Sequence, residues 1–224
     1  MKIILTGATG FVGGVTLDAL LADPRVTAVT ALTRRPLAVD SPKLHAIVHE
    51  DFTAYDDALL AGLAAHDACI WTLGGKASDE ADPIRYERIT HGFTLALARG
   101  IASRITRPFT FDYLSGMGAD QAETSRLPWE QLTRRLKGRT ERDLLALGER
   151  HDLLTVHCFR PGGILPVSTH PLVTFFTGPI AVGVRTLARA MIEAACASRY
   201  RRARPVIGNR EIKRIAAGAS NRGA

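Results

Sequence analysis

The chain has 224 residues, 46% of them hydrophobic and 23% charged, which excludes a largely disordered polypeptide and suffices for one substantial core. Lys and Arg number 29 against 22 Asp and Glu, and the resulting +7 favours anionic ligands, phosphorylated ones among them. Cys69, Cys158 and Cys196 stand apart without CxxC spacing, so neither a disulfide framework nor a zinc site is indicated and a cytoplasmic location is expected.

Lys2 to Thr6 is a short apolar run stopped by glycine, the pattern of a parallel strand buried on both faces. No charged region, apolar core and cleavage site of a secretory signal is seen there, and export is not expected. Phe11 to Ala22 reads as a helix closed by Asp23-Pro24, and the β-branched run Val26 to Leu32 completes a βαβ unit. Leu44 to Val48 follows as a third strand, Asp56 to Ala64 as a short helix, and Ala68 to Leu73 as a fourth strand closed by Gly74-Gly75. Pro83 opens a long helix to about Arg99, and Phe109 to Leu114 is the fifth strand. A helix over Leu127 to Arg150 and a sixth strand over Leu153 to Phe159 come next.

Pro161 to Val184 carries no fixed charge, yet Pro161, Pro166, Pro171 and Pro179 with four glycines would break a spanning helix. The stretch therefore predicts a loop over an apolar pocket and no membrane span. A helix from about Val184 to Ala197, a strand near Pro205 to Ile207 and a helix over Arg210 to Ala217 finish the pattern. The alternation predicts one α/β domain over residues 1–218, a three-layer Rossmann fold whose mostly parallel, doubly wound sheet carries helices on both faces, with 219–224 as a flexible tail.

The first turn, Thr6-Gly7-Ala8-Thr9-Gly10-Phe11-Val12-Gly13, spaces its glycines GxxGxxG. A strand that must turn sharply into a helix needs glycine for the bend, for backbone approach to phosphate and for close helix packing, and the helix dipole then faces the anion. Gly7, Thr9, Gly10, Phe11, Val12 and Gly13 are thus candidates for holding a dinucleotide diphosphate. The second strand ends Leu32-Thr33-Arg34-Arg35, without the acid that would contact a ribose 2′-hydroxyl. Arg34 and Arg35 would suit a 2′-phosphate, making NADP the expected cofactor and NAD the lesser candidate; otherwise they are a solvated pair. Asp51 and Phe52 either reach the adenine or form an ordinary turn. Leu73 and Gly74 fall at a strand end beside the same crevice.

This glycine turn, Leu114-Ser115-Gly116 after the fifth strand, Lys137, Arg160-Pro161-Gly162-Gly163 and Asn209-Arg210-Glu211-Ile212 together resemble the short-chain dehydrogenase/reductases, in their atypical or extended, epimerase/dehydratase-like branch. The resemblance implies an NAD(P)-dependent oxidoreductase in which Ser115 orients substrate, Lys137 binds ribose, and Pro161 and Gly162 flank the cofactor. It also implies a tyrosine four residues before Lys137, where this chain has Thr133, whose alcohol cannot serve as a phenolic acid or base near neutral pH. Ser115 has a second reading as a strand-end cap. Tyr113 is expected on the face opposite Asp112 and Leu114, away from Lys137; Trp71, Trp129, His157 and Cys158 are expected to be buried, with no metal.

Two functions follow. Either the chain reduces a small-molecule substrate without the tyrosine, or it has kept the dinucleotide and acts as an NADP-responsive regulator through a protein partner or a homodimer. Leu172-Val173-Thr174-Phe175-Phe176 would then be a partner surface rather than a substrate lid. The Arg199 to Arg204 run has charge for nucleic acid but belongs to no recognisable nucleic-acid module.

Overall fold

A computed structural model describes residues 1–80, 82–124, 130–170, 177, 179–197 and 205–220. Its strands are β1 (Lys2–Thr6), β2 (Ala28–Thr33), β3 (Leu44–Val48), β4 (Ala68–Trp71), β5 (Phe109–Leu114), β6 (Leu154–Arg160), β7 (Gly163–Leu165), β8 (Ala181–Gly183) and β9 (Val206–Gly208). Seven of them form one sheet in the order β3-β2-β1-β4-β5-β6-β9, parallel at every pairing, while β7 and β8 pair with each other. The helices are α1 (Phe11–Ala22), α2 (Asp57–Ala64), α3 (Pro83–Glu87), α4 (Phe93–Ala102), α5 (Gln131–Glu149), α6 (Val184–Cys196) and α7 (Asn209–Ser220).

Strand alternation divides the apolar residues between two cores. Ile3 and Leu5 join Leu17, Leu187, Met191 and Ile212 under α1, α6 and α7, whereas Ile4 joins Leu97, Ile101, Phe111 and Leu144 under α4 and α5. Each fully buried aliphatic side chain contributes roughly 1.5–3 kcal/mol, so both layers hold the sheet. The expected doubly wound sheet with helices on both faces is the one observed.

Three local departures from the periodicity have identifiable causes. The long helix expected from Pro83 is interrupted by a π turn at Arg88–Gly92, where the carbonyl of Thr90 accepts from the hydroxyls of Thr94 (2.8 Å) and Thr140 (3.4 Å). Strand β4 stops at Trp71, two residues short of the expected end, because the Thr72 hydroxyl donates to the carbonyl of Thr6 at 2.6 Å. The expected loop contains the β7 and β8 pair: Gly163 N donates to Ile180 O at 2.8 Å, and a Cβ on Gly162 would lie 1.8 Å from that carbonyl. Asn209 fixes this arrangement, accepting from Gly162 N (3.2 Å) and donating to the carbonyls of Pro179 (3.2 Å) and Ala181 (3.3 Å).

Buried polar pairs join neighbouring strands and fasten α5 to the sheet. Asp112 and His157 face each other across β5 and β6 and share a 2.8 Å hydrogen bond; burial pushes the Asp112 carboxyl up, against the pull of His157. His157 and Cys158 are buried as the apolar strand implied. On α5, the buried Glu141 receives Nε of Arg160 at 2.8 Å, a second guanidinium nitrogen, and Gln121 at 2.9 Å. Removing Arg160 strips that buried carboxylate of its guanidinium while Gln121 still donates to it, at a cost that approaches the several kcal/mol of a broken buried pair. Arg160→Ala is therefore expected to lose about 3 kcal/mol of unfolding free energy in urea denaturation.

Candidate functional site

At the centre of the sheet the strand order reverses: Thr6 lies beside Leu32 of β2 and Trp71 of β4, and chain connections leave in opposite directions. Gly7 bends the chain there with φ +73°, a conformation that favours glycine, and a Cβ would stand 2.8 Å from Thr72 Oγ1 and 2.9 Å from Leu73 N. Gly13 is tighter still, since its Cβ would fall 1.9 Å from the Gly7 carbonyl oxygen. Gly10 caps α1, donating to Gly7 O at 2.8 Å and receiving Gly14 N at 2.8 Å as the first helical bond. The amides of Phe11, Val12 and Gly13 precede that bond, and no acidic side chain occupies the first turn. Thr9 is exposed at the tip of the turn.

A cleft of about 550 Å³ opens from this turn. Its lining brings Gly10, Phe11, Val12 and Gly13 of the turn together with Leu73, Gly74, Ser115, Lys137, Pro161 and Gly162. The structure thus assembles most of the residues the sequence singled out. Lys137 Nζ donates to Ser115 O at 3.0 Å, and burial brings its ammonium down to about 8, with Glu141 opposing and Lys76 adding to the shift. Ser115 is 2% exposed and its hydroxyl has no hydrogen-bond partner, so the strand-end cap is not formed; its backbone N instead donates to Phe159 O at 2.9 Å.

Thr133, one turn before Lys137, has its one hydroxyl proton committed. It donates to Glu130 at 2.8 Å and accepts from Ala77 N at 2.8 Å, fastening the loop after β4 to α5. Glu130 itself sits in the left-handed region at φ +53°, as Thr133 and the helix start require. Tyr113 corrects one expectation: it points away from Asp112 and Leu114 as strand alternation demands, yet the face it reaches is that of α5, where it lies beside Thr140 and borders the cleft. Thr90 was not found from sequence. Its hydroxyl is buried, unpartnered and on the cleft wall, placed there by a π turn that no local pattern announces.

Other candidates lie outside the cleft. Arg34 and Arg35 follow β2, exposed and, among the described residues, without an ionic partner, while Thr33 Oγ1 donates to Arg35 O at 2.6 Å. Asp51 accepts from Thr53 N (2.9 Å) and Thr53 Oγ1 (2.5 Å), the ordinary turn of its two readings, and faces Arg88 at 3.8 Å. The ring of Phe52 is buried against Trp71 and Phe93. His91 is paired with Asp143 at 2.8 Å, and Tyr86 donates to Gly75 O at 3.1 Å. Among the described residues no group of side chains could hold a metal, and no helix is long and apolar enough to cross a membrane. Trp129, the Leu172 to Phe176 stretch and the Arg199 to Arg204 run lie outside the described residues.

The turn's packing gives a direct test. Gly13→Ala forces α1 off the strand end and is expected to cost about 1–3 kcal/mol in chemical denaturation, whereas Gly62→Ala on α2, with open space at its Cβ, is expected to cost nothing.

Residues 3–126 match the NAD dependent epimerase/dehydratase family. Leucinostatins biosynthesis cluster protein T of Purpureocillium lilacinum is 42% identical over 76 residues, 33% of this chain and 28% of that protein. Protein FMP52, mitochondrial, of Chaetomium globosum is 28% identical over 130 residues, covering 58% of this chain and 54% of that protein, and its Aspergillus clavatus counterpart is 27% identical over 165 residues, covering 72% and 65%. The chain spans less than two thirds of the length of each. The FMP52 proteins are named as mitochondrial, which overturns the cytoplasmic expectation; cysteine usage reports a reducing environment and no address. Among solved structures, a UDP-N-acetylglucosamine 4-epimerase from Methanobrevibacter ruminantium superposes with TM-score 0.66 at 17% identity, covering 92% of this chain and 75% of that one. The dTDP-glucose 4,6-dehydratase DesIV from Streptomyces venezuelae, solved with NAD and TYD bound, superposes with TM-score 0.66 at 18% identity, covering 99% and 81%. With its fold, its glycine turn and more than half of its length matched, the chain belongs to the NAD dependent epimerase/dehydratase family.

Proposed function

We propose that this protein is an NADP-preferring oxidoreductase acting on a small-molecule substrate. The observation that carries the reading is the buried, unpartnered Ser115 hydroxyl, which shares one cleft with Lys137 and with the Cβ-free turn. The turn around Gly7, Thr9, Gly10 and Gly13 and the amides of Phe11 and Val12 would hold the diphosphate. Arg34 and Arg35 would take the 2′-phosphate, a role that a carboxylate at the same strand end would oppose. Phe52 would offer its backbone beside the adenine while Asp51 shapes the turn. Leu73, Gly74, Pro161 and Gly162 would line the remainder, and Lys137 would bond the ribose. When bound, the dinucleotide supplies hydride chemistry, for which the protein contributes chiefly position and exclusion of water.

A second reading is a regulator that holds NADP and signals through a protein partner or a second copy of the chain. Thr133 favours it, because a hydroxyl committed to Glu130 and Ala77 offers no substitute for a catalytic phenol.

NADPH is expected to bind more tightly than NADH in calorimetry, and Arg34→Ala to narrow the gap by about tenfold, the value of one charge-assisted hydrogen bond. Equal affinities in the unaltered protein would refute the preference. An absorbance screen of NADPH oxidation against quinones, flavins and small carbonyls should find turnover that Lys137→Ala abolishes. Tight NADPH binding without turnover would select the regulator.

A further inference from the structure

We infer that Lys137 is itself the proton donor to the substrate's oxygen, with the hydroxyls of Ser115 and Thr90 holding that oxygen, so that the tyrosine's task has passed to the lysine and not to Thr133. This rests on the oxidoreductase reading and names the acid that reading lacks.

The side chains around the cleft floor leave few alternatives. Thr133 has its proton committed to Glu130, and an alcohol is in any case a poor acid near neutral pH. Tyr86 spends its proton on Gly75 O, and burial raises its phenol further. Tyr113 lies beside Thr140, and burial pushes its phenol well above the ordinary range. Lys137 Nζ has three protons, one of which goes to Ser115 O, leaving two. Ser115 Oγ and Thr90 Oγ1 are both buried and unpartnered, a cost that a bound oxygen would relieve.

The charges facing the amine are those of Glu141 on its own helix, Glu130 at the helix start, and Asp79 and Lys76 on the loop after β4; Arg134 lines the same cleft. Glu141 is occupied by Arg160 and Gln121 and is no competing acceptor. With an ammonium near 8, protonated and neutral forms are both accessible at working pH, as general acid catalysis requires. In the step, an N–H bond of Lys137 breaks and an O–H bond forms at the former carbonyl oxygen. The carbonyl carbon is reduced by two electrons with a hydride from the reduced nicotinamide dinucleotide, which is oxidised. The neutral amine then regains a proton from solvent.

Two measurements test this. In the dinucleotide-free protein with ¹³C-dimethylated lysines, the NMR resonance missing from Lys137→Met should titrate near 8, and titration in the ordinary lysine range would overturn the proposal. In carbonyl reduction, kcat should fall as pH rises through the same value. Lys137→Met should lose at least ~100-fold with no such limb. Lys137→Arg should keep NADPH affinity yet lose as much rate, because a guanidinium stays charged. Thr133→Val should retain the limb at its place. A limb that persists in Lys137→Met, full rate in Lys137→Arg, or turnover of a quinone or flavin with every carbonyl inert would overturn the proposal while leaving the reductase intact; failure of every quinone, flavin and carbonyl to turn over would remove the reductase reading and this step with it.

Discussion

Everything in this site depends on one close approach, the passage of α1 over the end of β1 with no side chain between them. Gly13 lies against the carbonyl of Gly7, and Gly7 lies against Thr72 at the end of the neighbouring strand. The first strand and helix and the sequence-distant β4 are thereby held at one point. Any Cβ there would separate the helix amides from the crevice where the strand order reverses. The Thr72 hydroxyl, bonded to Thr6, completes the contact by ending β4 where the cleft must begin.

The opposite wall is positioned by polar bonds rather than by absence of side chains. Arg160 at the end of β6 grips Glu141, while Thr133 holds the loop at Ala77, so α5 is anchored on both flanks of Lys137. The same bonds qualify the basic character of the chain. Arg160 and Arg25 are matched to the buried acids Glu141 and Glu193, whereas Arg34 and Arg35 are exposed after β2 with no ionic partner among the described residues.

Local patterns made the scaffold legible. The α1 helix and strands β1, β3 and β5 have the bounds that glycine, proline and β-branched runs indicate, and the glycine triplet located the crevice. What escaped was non-local. The π turn at Thr90 involves a hydroxyl on α5, fifty positions away. The β7 and β8 pair depends on Gly162 meeting the Ile180 carbonyl, and Tyr113 reaches α5 because the sheet carries that helix on its face. Asp51 could be read equally as a ligand or as a turn until Thr53 was seen to bond its carboxylate. Location had no physical signal in the composition, and the mitochondrial relatives supplied a correction that chemistry could not.

Asn209 gives the cleft a dependence on the far edge of the sheet. Its amide joins Gly162, on the cleft wall, to the carbonyls flanking β8, and it directly follows β9, which holds the sheet margin by three residue pairs. Edge strands of that length open at low free energy. Fraying at the margin and loosening of the wall beside Lys137 are therefore one event, so the protection of the edge amides from hydrogen exchange reports how often the cleft gives way.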